Sequence, residues 1–284
     1  MAINNRDRQR TRVVFVPVAT GGGSGGGSQE KIKVGESGLK FANTTFTEIP
    51  EVFDFSDVTN LEDMFRHCSS LTTVPPMNTS SVTNMSYMFY DCVSLTTVPP
   101  MNTSNVTNMS RMFNTCHSLA SIPSMDTSKV TNMTGMLNSC HSLASIPSMD
   151  TSKVTNMSGM FAFSNLLDSI PEMDTSKVTD MGSMFNYCSS LTTVPEMDTS
   201  SVTNMSNMFY GCSSLTDLGG FTGLKCNLDL SPCTALTHDS IMNVINKAAD
   251  VTASPKTLIL GSTNLAKLSD EEKAIATNKG WTLA

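Results

Sequence analysis

The stretch NVTNMSRMFNTCHSLASIPSMDTSKVTNMTGM, residues 105–136, begins again before it ends. Asn105-Val106-Thr107-Asn108-Met109 is answered by Lys129-Val130-Thr131-Asn132-Met133, 24 residues on. The same interval governs most of the chain. Met85, Met109, Met133, Met157, Met181 and Met205 keep it, as do Pro75, Pro99, Pro123, Pro147, Pro171 and Pro195, and a leucine column from Leu71 to Leu215. Seven copies run from about Phe55 to Leu218. A fixed period in the twenties predicts a solenoid of stacked coils rather than separate domains.

Within the copy that starts at Val82, the apolar residues are Val82, Met85, Met88, Phe89, Cys92, Leu95, Val98 and Met101. One long helix would gather them into a stripe, and a strand would alternate them. Spread around the whole copy, they fit a coil that turns residues inward on every side. SLTTVP ends at proline and reads as a short strand. NTSNVT reads as a turn into a second extended piece near Val106. NMSRMFNTC spaces Met, Met, Phe and Cys by three and four, which predicts one or two turns of helix. Seven coils at about 4.8 Å would form a rod roughly 30–35 Å long.

The column Asn60, Asn84, Asn108, Asn132, Asn156, Asp180 and Asn204 reads as a side-chain ladder satisfying backbone groups at a corner of the coil. Its N-x-S/T sequons follow from the ladder and are not read as glycosylation sites. Asp126, Asp150, Asp174 and Asp198 recur as turn residues.

The repeat resembles the BspA-type leucine-rich repeats of bacterial surface proteins, including the related mycoplasma lipoprotein repeat, over residues 55–218. The resemblance implies an α/β repeat solenoid: a right-handed leucine-rich-repeat superhelix of 24-residue coils with short strands and short helices, used for binding at a surface. No cysteine near the N-terminus could accept a lipid. The domains expected are an extended anchoring arm over 1–20, a Gly/Ser linker over 21–28 and an N-terminal cap over 29–54. The repeats follow over 55–218, and an α/β leucine-rich-type cap over 219–284. In that cap Thr237 reads as an N-cap ahead of Ile241, Val244, Ile245 and Ala248. KTLILG reads as a strand, Ser269 with Glu272 as a capping box, and WTLA as a final strand.

The formal net charge is −7, and residues 1–20 contribute Arg6, Arg8, Arg10 and Arg12 against Asp7. The body is therefore acidic, which argues against nucleic-acid binding. No apolar run reaches the roughly 20 residues that span a bilayer, so no membrane insertion is expected. RDRQRTR followed by VVFVPVA loosely resembles a signal peptide; its apolar part has only seven residues and contains Pro17. An extended arm is the favoured reading, with Arg10, Arg12, Val14, Phe15 and Val16 as anchoring residues able to add as a strand to a sheet edge.

Nothing in the sequence supports catalysis or a cofactor. It has no nucleophile elbow, phosphate loop or metal signature. Cys68, Cys92, Cys116, Cys140, Cys188 and Cys212 share one repeat position, with Ser164 in the fifth coil, and read as buried free thiols. A Cys226–Cys233 disulfide is a minority alternative. His117 and His141 should stack without a third metal ligand. Binding is the expected function. Columns that vary between coils supply the candidates Tyr87, Tyr90, Arg111, Phe163 and Tyr210, and a hydroxyl-rich column from Thr73 to Thr193 suits a glycan or polymer.

Two settings follow. In one, the chain is a phage head or tail fibre or decoration protein, docked on a virion protein through its arm and meeting a host-surface glycan or protein through its repeats. Such proteins are often trimers, and nothing in the sequence specifies three. In the other, it is a bacterial cell-surface adhesin or secreted binding protein. An engineered fusion of a peptide to a repeat domain is a third and weaker alternative.

Overall fold

The computed structural model describes residues 31–34 and 39–284. The arm residues Arg10, Arg12, Val14, Phe15 and Val16 and the Gly/Ser run lie outside the described residues.

Successive coils bridge in parallel at the asparagine column, Asn60 to Asn84 to Asn108 and onward to Asn204. Each bridge joins residues 24 apart, so one repeat makes one coil. The side chain at the bridge closes an Asx turn. Its Oδ1 accepts from the amide two residues on, as in Ser86 N–Asn84 (2.9 Å), Ser110 N–Asn108 (3.0 Å) and Gly182 N–Asp180 (2.9 Å). Asp180 preserves the role because only the acceptor oxygen is needed.

The segment after each bridge is not the short helix expected from its 3-and-4 spacing. It is a ribbon of consecutive turns. Within a coil, Met88 N donates to Met85 O, Tyr90 N to Tyr87 O and Cys92 N to Phe89 O. The intervening amides point the other way: Tyr87, Phe89 and Asp91 donate to Ser110, Met112 and Asn114 of the next coil. A helix would spend every amide on its own segment and leave none to join coils. The ribbon alternates them, and it does so by setting positive φ at every fourth residue, as at Tyr87 (56°) and Asp91 (61°).

The SLTTVP strand is also shorter than expected. It pairs as a strand only near the end of the rod, where β3 (Thr193–Val194) meets β5 (Asp217–Leu218) and β4 (Met197–Asp198) meets β6 (Phe221–Thr222). Elsewhere single bonds such as Thr96 N–Thr72 O (3.1 Å) join coils, because the prolines that follow have no amide to extend a ladder. At the other end β1 (Ile32–Lys33) pairs in parallel with β2 (Phe53–Asp54).

All eight apolar positions of the coil are buried: Val82, Met85, Met88, Phe89, Cys92, Leu95, Val98 and Met101. The phenylalanine column stacks through the core. Phe65, Phe89 and Phe113 lie 5.4 and 5.5 Å apart, and Phe161, Phe185 and Phe209 lie 5.6 Å apart. Leu137 interrupts the stack.

The cysteines are free, Cys226 and Cys233 included. Each ladder thiol donates to the carbonyl of the residue 27 positions earlier, Cys92 to Phe65 (3.0 Å) and Cys116 to Phe89 (3.1 Å). Ser164 makes the same bond to Leu137 (2.8 Å), which explains the exchange of Cys for Ser. Burial pushes the Cys140 and Cys212 thiols up to about 12.

Beyond Leu218 the coil lengthens. β7 (Leu228–Asp229), β8 (Lys256–Ile259) and β9 (Trp281–Leu283) form a parallel sheet in that order. Helix α1 (His238–Lys247) starts at the Thr237 cap and buries Ile241, Val244 and Ile245. A short helix α2 (Gly261–Leu265) precedes α3 (Asp270–Asn278), whose Ser269–Glu272 capping box is complete. Lys279 Nζ donates to the carbonyls of Ile245, Asn246 and Ala248 and so satisfies the C-terminal end of α1.

Candidate binding face

The ribbon is also the face on which the candidate residues lie. Its positive-φ positions form two columns. One contains Asp63, Tyr87, Arg111, Gly135, Gly159, Ser183 and Asn207; the other His67, Asp91, Thr115, Ser139, Phe163, Tyr187 and Gly211. Glycine meets this requirement without strain, and three coils use it. A bulky side chain in the left-handed region costs roughly 1–2 kcal/mol. Five coils nevertheless place His, Tyr, Arg or Phe there, and strain of this kind gathers at functional sites.

The bulky residues form two clusters. The first unites Tyr87, Tyr90 and Arg111 with Arg66 and His67, two residues that sequence reasoning missed. The Arg66 guanidinium lies 5.5 Å from the Tyr87 ring and 5.2 Å from the Tyr90 ring; Arg111 lies 5.4 Å from Tyr87 and donates to its hydroxyl. His67 meets Tyr90 edge-on at 5.4 Å and bonds Asp91 through Nδ1 at 2.9 Å. Guanidinium groups already cover these ring faces. The two tyrosines are half-buried, and the cluster acts as a cation–π clasp across three coils.

The second cluster is open. Phe163 stacks on Tyr187 at 5.2 Å and 14°, and Tyr187 meets Tyr210 edge-on at 5.2 Å. Their exposures are 42%, 44% and 49%, and nearby Leu166 is 54% exposed. Six large apolar side chains are exposed among the described residues, and four of them are these. Gly211 makes room for the arrangement: a Cβ there would come within 2.9 Å of the Tyr187 ring. The neighbouring Tyr210 phenol pushes the Tyr187 phenol above its ordinary range. Tyr187 and Leu166 were missed because the sequence columns followed positions 87 and 90, whereas Tyr187 stands in the column of position 91 and Leu166 in the serine column of position 94. Phe163 and the glycine at 211 were the signals in the column that holds Tyr187.

Between the clusters the ribbon is low. Gly135, Gly159 and Ala162 carry little or no side chain, and Asn114 and Asn138 bend onto the carbonyls of Gly135 and Gly159 (both 3.4 Å). His117 and His141 stack at 4.3 Å and 6°; burial, then the charge of His117, lowers the His141 pKa. No group of three or more metal-ligating side chains occurs among the described residues.

Residues 38–146 and 139–222 match the family described as "Mycoplasma protein of unknown function, DUF285". The chain belongs to this family. The match covers well over half of the chain and bears out the BspA-type leucine-rich-repeat resemblance. No curated protein matches. Solved structures similar to this chain include a leucine-rich repeat protein from Bacteroides ovatus, at 20% identity over 67% of this chain, with TM-score 0.40. This chain spans 58% of the length of that protein. The T. pallidum leucine-rich repeat protein is 16% identical over 84% of each chain (TM-score 0.27). The functional domain of InlJ from Listeria monocytogenes, which includes a cysteine ladder, is 14% identical over 78% of this chain and 54% of its own (TM-score 0.22).

Proposed function

We propose that the chain is a non-enzymatic binding protein displayed at a surface, and that the open cluster Phe163–Leu166–Tyr187–Tyr210 is its contact with a partner protein. The observation that carries this reading is the coincidence of exposure and strain. Two apolar side chains and two tyrosines are exposed on this stretch of the ribbon, and two of the four occupy positions where glycine would be less costly. Exposed aromatic groups of this kind are the usual anchors of protein interfaces. A protein suits the cluster better than a glycan does. Phe163 and Tyr187 each spend one ring face on the other, which leaves less open face for a sugar ring to stack on, while the exposed aliphatic Leu166 beside them in sequence suits a protein surface.

Family membership supports display on a bacterial cell, with the right-handed superhelix holding the ribbon outward and residues 1–20 as anchor. Display on a phage particle is the second reading. It is favoured by the sequence RTRVVFVPVAT, whose β-branched content suits addition to a sheet edge, followed by the Gly/Ser run GGGSGGGS. Mass spectrometry of cell-surface fractions and of purified particles, each with the mature N-terminus determined, separates the two. Absence from both fractions would overturn surface display altogether.

A further inference from the structure

Each coil passes four ribbon amides to its successor, and the series stops at the seventh. In the sixth coil Met181, Ser183, Phe185 and Tyr187 donate to Asn204, Ser206, Met208 and Tyr210. The corresponding amides of Met205, Asn207, Phe209 and Gly211 find no acceptor among the described residues. On the other side of the bridge, the Thr179 carbonyl accepts from Thr203 N at 2.9 Å, while the Thr203 carbonyl accepts no amide from the next coil. The strand one period on, β7, pairs with β8 instead of with this edge. Side-chain exposure changes at the same place. Asn207 and Tyr210 are exposed where Ser183 and Asn186 are half-buried.

The seam is an open groove. It is lined by Thr203, Asn204 and Met205 on the repeat side and by Lys225, Cys226 and Lys256 on the cap side. Neither lysine forms an ion pair among the described residues, and Lys256 Nζ reaches only Ser254 Oγ at 3.1 Å. The edge therefore offers an acceptor at Thr203 and a donor at Met205. These flank Asn204, the position at which every earlier coil bridges the next. Unpaired edges of this form are templates for another strand.

We propose that this groove binds an extended acidic segment of a partner protein by strand addition. Two consecutive residues of the segment take the parts that Thr203 and Asn204 play toward the sixth coil: the first donates its amide to the Thr203 carbonyl, and the carbonyl of the second accepts from the Met205 amide, restoring the missing bridge. Carboxylate side chains of the segment meet Lys225 and Lys256. Backbone pairing selects the extended conformation, and the lysines select the charge. The site is separate from the open aromatic cluster, and neither depends on the other.

The probe is a pool of acetylated, amidated hexapeptides alternating Asp or Glu with Val, Thr or Ile, labelled for fluorescence anisotropy and titrated with the full chain. The pool should bind and should slow hydrogen exchange at the Met205 amide. The same pool with N-methylated backbones, or with Lys for its acidic residues, should bind at least about tenfold more weakly, since backbone pairing or charge pairing is then lost. Lys225→Glu with Lys256→Glu should weaken binding by about tenfold or more. Tyr187→Ser, which removes the proposed partner-protein contact, should leave it unchanged. The proposal is overturned if the N-methylated pool binds as well as the parent pool, which would mean a simple anion site. It is overturned as well if the acidic pool does not bind, or if the Met205 amide of the free protein exchanges as slowly as that of Met181.

Discussion

Replacing Phe163 by glycine and, separately, by alanine isolates the strain in the ribbon. Phe163 has φ of 62° and a ring stacked on Tyr187 at 5.2 Å. Both variants lose the stacking, which is worth about 0.5–1.5 kcal/mol. They differ in the backbone. Alanine keeps the left-handed penalty of roughly 1–2 kcal/mol, whereas glycine removes it. Glycine gives back about 0.5–1 kcal/mol through the extra freedom of its unfolded chain. The glycine variant should therefore be more stable than the alanine variant by about 1 kcal/mol, the reverse of their order in a helix. With a urea dependence of about 1–3 kcal/mol per molar, the glycine midpoint should lie a few tenths of a molar or more above the alanine midpoint. Unfolding followed by circular dichroism and by Trp281 fluorescence reads it. An alanine variant as stable as the glycine variant would refute the idea that Phe163 is held in a costly conformation. The aromatic residue would then need no functional explanation.

Other expectations follow from the same coil. Asn108→Ala should cost about 1 kcal/mol through loss of the Asx bond to Ser110, while Asn108→Asp should be nearly silent, as Asp180 is; denaturation midpoints report both. In alkylation followed by mass spectrometry, half-buried Cys226 should react first, and the ladder thiols only on unfolding, because burial holds Cys140 and Cys212 in the thiol form. His238 bonds Asp239 at 3.0 Å and Glu272 at 2.8 Å, which raise its pKa above 6.5 in that order of effect. Its stabilising contribution should be complete below pH 6.5 and lost as pH rises through the raised value. The difference in melting temperature between wild type and His238→Gln should shrink over that interval.

The stacking of coils could be read from the chain because it depends on composition at fixed spacing. The eight buried columns, the asparagine corner, the Thr237 cap and the Ser269–Glu272 box each announce themselves by residue type. The ribbon does not. Met85, Met88, Phe89 and Cys92 have the spacing of a helix face, and a chain of turns buries the same four positions. What separates the two is the sign of φ at Tyr87 and Asp91, and residue type conceals it wherever a bulky side chain tolerates the strain. Only Gly135, Gly159 and Gly211 disclose it. The open cluster was half legible for the same reason. Phe163 and Tyr210 stood out as aromatic departures, whereas Tyr187 was hidden in a column whose geometry the sequence did not reveal. Arg66 and His67 could be found only once Tyr87 and Tyr90 had been placed beside them.

The claim that matters most is that the ribbon around Tyr187 meets a partner protein. Site-specific photo-cross-linking tests it. A photoreactive phenylalanine analogue is placed at Tyr187, and in a second protein at Thr97 on the hydroxyl-rich column, each in the full chain displayed in its native host. The account predicts a defined protein adduct from position 187, abolished by Phe163→Ser with Leu166→Ser, and none from position 97. Adducts of equal yield and pattern from both positions, or none from 187 while 97 gives one, would contradict it.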